Sequence, residues 1–126
     1  MKALTKAEEQ VMKYLWELEK GYLKDIVAQY PDPAPAYTTV STVVNVLVKK
    51  GFIGFETHGK SKEYYPLVAK ETYAKESLQG MMHTFFNDSP KQFASFFTQE
   101  SELSVDELKE LQEMIAAEIK KQQDNG

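Results

Sequence analysis

Apolar residues recur at spacings of three and four over residues 5–19, where Ala7, Val11, Tyr14, Leu15 and Leu18 share one face of a helix. Thr5 followed by Glu8 reads as a capping box at its start, and Lys20-Gly21 as its stop. A shorter segment, LKDIVAQY (23–30), gathers Leu23, Ile26, Val27 and Tyr30 on one side. The PDPAP that follows removes three amide donors within five residues, so the chain must turn or loop there.

The next helical period has two faces. Over AYTTVSTVVNVLVKKGFI (36–53), a step of about 100° per residue puts Thr38, Thr39, Ser41, Thr42, Asn45 and Lys49 within an arc of about 160°. Val40, Val43, Val44 and Leu47 gather at the opposite pole. The spacing predicts a helix from Thr38 to Lys50, stopped by Gly51 in the position after the cap. The period then falls to two. GFIGFET (51–57) and KEYYPL (62–67) are rich in aromatic and β-branched residues, and the HGKS between them supplies a turn glycine. This predicts a β-hairpin whose tip carries His58, Lys60 and Lys62, with Pro66 marking an edge or the end of the second strand.

Helical spacing returns in the second half. Ala74, Leu78, Met81, Met82, Phe85 and Phe86 form a wide apolar stripe over 71–87, Asn87-Asp88-Ser89-Pro90 breaks it, and KQFASFFTQ (91–99) predicts a short aromatic helix. Ser104 and Glu107 offer a second capping box, opening a last helix in which Leu108, Leu111, Ile115 and Ile119 align within about 80°. A seam that narrow suits a partner helix better than a globular core.

Composition narrows the function classes. A chain of 126 residues with 42% hydrophobic and 27% charged residues has the profile of a globular protein. No apolar run approaches the roughly 20 residues that span a bilayer, and MKALTKAEEQ lacks a signal-peptide core, so a cytoplasmic location is expected. Without cysteine there are no disulfides, thiolate zinc sites or cysteine nucleophiles. Only His58 and His83 are present, with no ligand spacing around them, so neither a metal nor a cofactor is expected. No nucleophile and base, and no paired carboxylates, form a catalytic constellation, so the chain does not read as an enzyme.

Charge divides the chain. Residues 1–70 carry 10 lysines against 8 acids, and residues 71–126 carry 5 against 11, leaving +2 and −6. A polyanion would meet the first half. Three short helices and a hairpin within that half have the order of a winged helix-turn-helix, in which the helix after the turn enters the major groove. The expected fold is therefore mainly α, with a winged helix-turn-helix over 1–70 and a helical dimerisation region over 71–126. Surface helices favour Lys and Glu, whereas this one presents threonines, a serine and an asparagine, short groups suited to base edges. The expected DNA-binding set is Tyr37, Thr38, Thr39, Ser41, Thr42, Asn45 and Lys49 on the helix, with His58, Lys60 and Lys62 on the wing.

All 15 basic residues are lysines, so the bidentate arginine–guanine contact is absent. Lys49, Lys50, Lys60 and Lys62 supply a weak pull on phosphate, and doubling the domain would strengthen it. Leu78, Met82, Phe85, Phe86, Leu108, Leu111, Ile115 and Ile119 are the expected dimerisation residues, and a two-fold dimer would face a palindromic site. A winged helix that binds only protein is the competing reading, because the fold does not dictate DNA.

LTKAEEQVMKYLW, TTVSTVVNVLVKKGFI, the YYP after the wing and ELSVDELKELQEMI, taken in this order and spacing, resemble the penicillinase and methicillin-resistance repressors, the BlaI/MecI type, over nearly the full length. The resemblance implies a dimeric repressor on operators of dyad symmetry that control β-lactam resistance genes. It also implies release when a membrane sensor leads to proteolysis in the dimerisation region. The family's cleavage point, an Asn-Phe bond before the last helix, aligns with Phe96-Phe97, where Phe97 matches and Phe96 replaces the asparagine. On its own residues, FFNDSPKQFASFF reads as packing at a dimer interface. A copper-responsive branch uses paired cysteines near the C-terminus, and this chain has none.

Overall fold

The computed structural model describes residues 3–126, and the chain divides into two compact units, Met1–Gly80 and Met81–Gly126. In the first, α1 (Lys6–Leu18) opens with the expected capping box. The Glu8 amide donates to Thr5 Oγ1 at 3.2 Å, and the Thr5 amide donates to Glu8 Oε1 at 2.8 Å. There follow β1 (Gly21–Tyr22), α2 (Leu23–Ala28), α3 (Tyr37–Lys49), β2 (Ile53–His58) and β3 (Ser61–Pro66).

The sheet is antiparallel in the order β1-β3-β2. The hairpin was legible from its alternating pattern, but β1 was not, because Gly21 looked like a helix stop. Gly21 lies just past the end of α1, as a stop there requires, and also pairs with Tyr64, which makes β3 the central strand. Pro66 is its last residue, opposite Ile53 and beyond the part paired with β1, so its missing amide interrupts no central ladder. Gly59 at φ +63 turns the chain between His58 and Ser61, the conformation a two-residue hairpin loop requires.

The core follows the helical stripes. Val11, Met12 and Leu15 of α1 meet Ile26 of α2, Val40, Val44 and Leu47 of α3, and Phe52 and Ile53 at the start of β2, all buried. Each such side chain contributes about 1.5–3 kcal/mol by leaving water. Trp16 packs at the margin and donates its Nε1 hydrogen to the Val68 carbonyl at 2.9 Å. Helix α4 (Lys70–Phe86) begins at the expected boundary of residue 70, yet the first compact unit runs on to Gly80. Tyr73 accounts for this: its ring meets Phe52 edge-on, and its hydroxyl donates to Glu9 Oε2 at 2.7 Å and accepts from the Leu4 amide.

In the second unit α4 ends at Phe86, with Asn87 and Asp88 both at positive φ. His83 lies exposed there and bonds Asp88 at 3.0 Å, which raises its pKa. Helix α5 (Pro90–Glu100) starts from Ser89 as cap with proline in its first turn, and α6 (Val105–Asn125) from the Ser104–Glu107 capping box. Phe86 packs against Phe93 and Phe96 with ring centroids 5.5 and 5.3 Å away, and Phe93 stacks on Phe97. Among the described residues of this unit, Phe86 alone is buried.

Candidate nucleic-acid interface

Helix α3 is set by its neighbours on one side and free on the other. Val40, Val44 and Leu47 are sealed into the core, while Tyr37, Thr38, Thr39, Thr42, Asn45 and Lys49 are exposed and Ser41 is half-buried. Gly51 at φ +82 ends the helix as its sequence position predicts, and the Phe52 amide donates to the Leu47 carbonyl.

The chemistry of the polar face is narrower than its composition. Thr42 Oγ1 donates to the Thr38 carbonyl at 2.9 Å, which commits its hydrogen and leaves the hydroxyl to act as an acceptor. Val46, which belongs to neither the predicted valine cluster nor the predicted polar set, is 37% exposed. At about 100° per residue it falls between Thr42 and Thr39, inside the polar arc. Its angular position was the available signal.

A groove of about 640 Å³ brings α3 and the wing together, with Ser41 and Asn45 from the helix and His58, Lys60, Ser61 and Lys62 from the hairpin. Lys24 and Tyr22 also line it, neither of which the motif pattern had singled out. The first residues of a helix that packs behind α3 give Lys24 its place, and no local motif announces that packing. Thr38, Thr39, Thr42 and Lys49 lie outside the groove lining, on the open face of the helix.

The lysines divide by partner. Lys62 Nζ sits 4.5 Å above the Phe55 ring, a cation–π contact that holds the ammonium at the wing surface. Lys50 was expected to attract phosphate, but its ammonium bonds Glu8 Oε1 at 2.8 Å, so it ties α3 to α1 instead. His58 Nε2 lies 3.3 Å from Glu63 and 3.8 Å from Glu56, which places an acidic pair beside the wing tip. Among the described residues these three alone have the types and closeness of metal ligands, their ligand atoms lying within 4.8 Å of one another.

Residues 4–117 match the sequence profile of the family described as penicillinase repressor. The chain belongs to this family. The methicillin resistance regulatory protein MecI of Staphylococcus aureus is 24% identical over 115 residues, covering 89% of this chain and 92% of that protein. The penicillinase repressor of Bacillus licheniformis is 21% identical over 113 residues, covering 89% and 88%. Among solved structures, a CopR repressor is 32% identical and covers 53% of this chain and 99% of its own, with a TM-score of 0.45. Bordetella bronchiseptica BpsR, whose DNA binding is regulated by 6-hydroxynicotinic acid, is 16% identical over 90% of this chain with a TM-score of 0.46. A penicillinase repressor is a regulator, and its relatives here carry regulatory names rather than those of enzymes.

Proposed function

We propose that the chain represses transcription by binding operator DNA of dyad symmetry as a homodimer. Helix α3 reads bases in the major groove, and the wing lysines meet phosphate. The observation that carries this reading is the division of α3. Its apolar side is locked in the core, while hydroxyl and amide groups line its outer side beside a groove lined by Lys24, Lys60 and Lys62.

Support for the dimer comes from the second unit. Leu108, Ile115 and Ile119 remain exposed along α6, Ile115 by 62%, and Phe85 is 71% exposed at the end of α4. A unit of this size with one buried side chain gains too little from burial to stand alone, and a second copy supplies the missing cover. Each protomer would then bring one reading helix, compensating for the absence of arginine.

Release fits the same region. The Phe96-Phe97 bond, aligned with the family's cleavage point, lies within α5, with Phe96 exposed and Phe97 stacked on Phe93. Cutting there would sever α6 from the reading domain and remove the seam that pairs the copies. A sensor-linked protease is the partner this implies, and β-lactam resistance genes are the targets the kinship favours.

Selection from a random duplex library by the full chain tests the central reading. Enrichment of an inverted repeat supports it, and recovery of no shared sequence overturns it.

A further inference from the structure

The polar face of α3 contains one residue that polar readout does not explain. Val40, Val44 and Leu47 are at most 2% exposed, whereas Val46 is 37% exposed, with Asn45 beside it in sequence and Thr39 and Thr42 to either side on the helix surface. A β-branched residue at an exposed helical position costs helix propensity, so local stability gives no reason for it. In the major groove the apolar group on a base edge is the C5 methyl of thymine, and everything else there is a donor or an acceptor. Thr42 strengthens the bias, because its hydroxyl hydrogen is committed to Thr38 and cannot be donated to guanine O6 or N7. With no arginine in the chain, the arginine form of the common guanine contact is missing as well, which leaves Lys49 as the cationic donor on this face.

We propose that Val46 makes thymine a required base in each half-site by packing its exposed methyls against the thymine C5 methyl. The adjacent Asn45 amide offers a donor and an acceptor to a neighbouring adenine edge. This inference rests on the reading of α3 as the DNA-contacting helix and adds which base it demands.

The test uses the full chain and the duplex it selects from a random library. Each thymine of one half-site is replaced singly by deoxyuridine, which removes only the C5 methyl, and affinities are measured by fluorescence anisotropy. At one position the wild-type protein should lose about 3- to 10-fold, the scale of one buried methyl. Val46→Ala, at an exposed site where alanine favours helix, should lose a similar factor on the thymine duplex and nothing further on the uracil duplex. Losses that simply multiply, or a site in which no thymine matters, would overturn the proposal while leaving sequence-selective binding intact. Failure to select any duplex would overturn both this proposal and the DNA-reading function beneath it.

Discussion

The ammonium of Lys50 lies 2.8 Å from Oε1 of Glu8, joining the C-terminal cap of α3 to the first turn of α1 across 42 residues of chain. Glu8 is buried, and the same oxygen accepts from the Thr5 amide, so one carboxylate fixes both the start of α1 and the end of α3. These contacts make the pair a device that positions α3 against α1.

Removing one partner strands the other. Lys50→Met leaves a carboxylate that is 5% exposed with its capping bonds alone, and a loss of about 1–3 kcal/mol is expected. Thermal denaturation should show it as a fall of several degrees in Tm, on the scale of about 4–8 °C per kcal/mol for a domain of this size. An unchanged Tm would show that the pair contributes nothing net.

The same carboxylate predicts a pH dependence. The hydrogen bond from Lys50 first, and the Thr5 amide next, hold the Glu8 pKa below its ordinary value. A depressed folded-state pKa means that its contribution is complete above the ordinary carboxylate range and is lost as pH falls through the folded value. Denaturant unfolding between neutral and acidic pH should therefore show a shallower acid loss in Glu8→Gln than in the wild type. Equal slopes would remove Glu8 from the acid limb.

Base-facing and phosphate-facing residues should separate in binding assays. Asn45→Ala and Thr39→Ala are expected to weaken the selected duplex by about 1–3 kcal/mol while changing random DNA little. Lys60→Ala should weaken both alike and reduce the salt slope by about one. If Asn45→Ala lowers both affinities equally, α3 holds the backbone instead of reading bases.

Dimerisation is tested where folding is least at risk. Ile115 is 62% exposed, so Ile115→Asp costs the single chain little, while a carboxylate in the seam of α6 would be desolvated by a partner. Sedimentation should give a monomer for this variant and a dimer for the wild type. A chain ending at Phe96 should likewise sediment as a monomer and lose operator affinity. Persistence of a dimer in either case would place the interface elsewhere.

Most of the architecture was legible because local signals agreed. The Thr5–Glu8 and Ser104–Glu107 boxes marked helix starts, the Val40–Val44–Leu47 stripe marked the buried side of α3, and Gly51 and Gly59 marked a helix end and a turn. What escaped was non-local. A two-residue strand at Gly21–Tyr22 has no period of its own and exists because β3 accepts it. Lys50 looked like a phosphate ligand until folding brought Glu8 beside it. Val46 is apolar, yet its angle on the helix sets it among the threonines and it is left exposed. Lys24 joined the groove through the packing of α2 against α3, which no spacing encodes.

The claim on which everything else depends is that α3 recognises sequence in duplex DNA. The most direct measurement is the affinity of the full chain for its selected inverted repeat against a scrambled duplex of equal composition, followed by anisotropy over a range of salt. The account predicts a preference of about 10³-fold or more at physiological salt, with both affinities falling as salt rises. Equal binding to the two duplexes, or none to either, would contradict it.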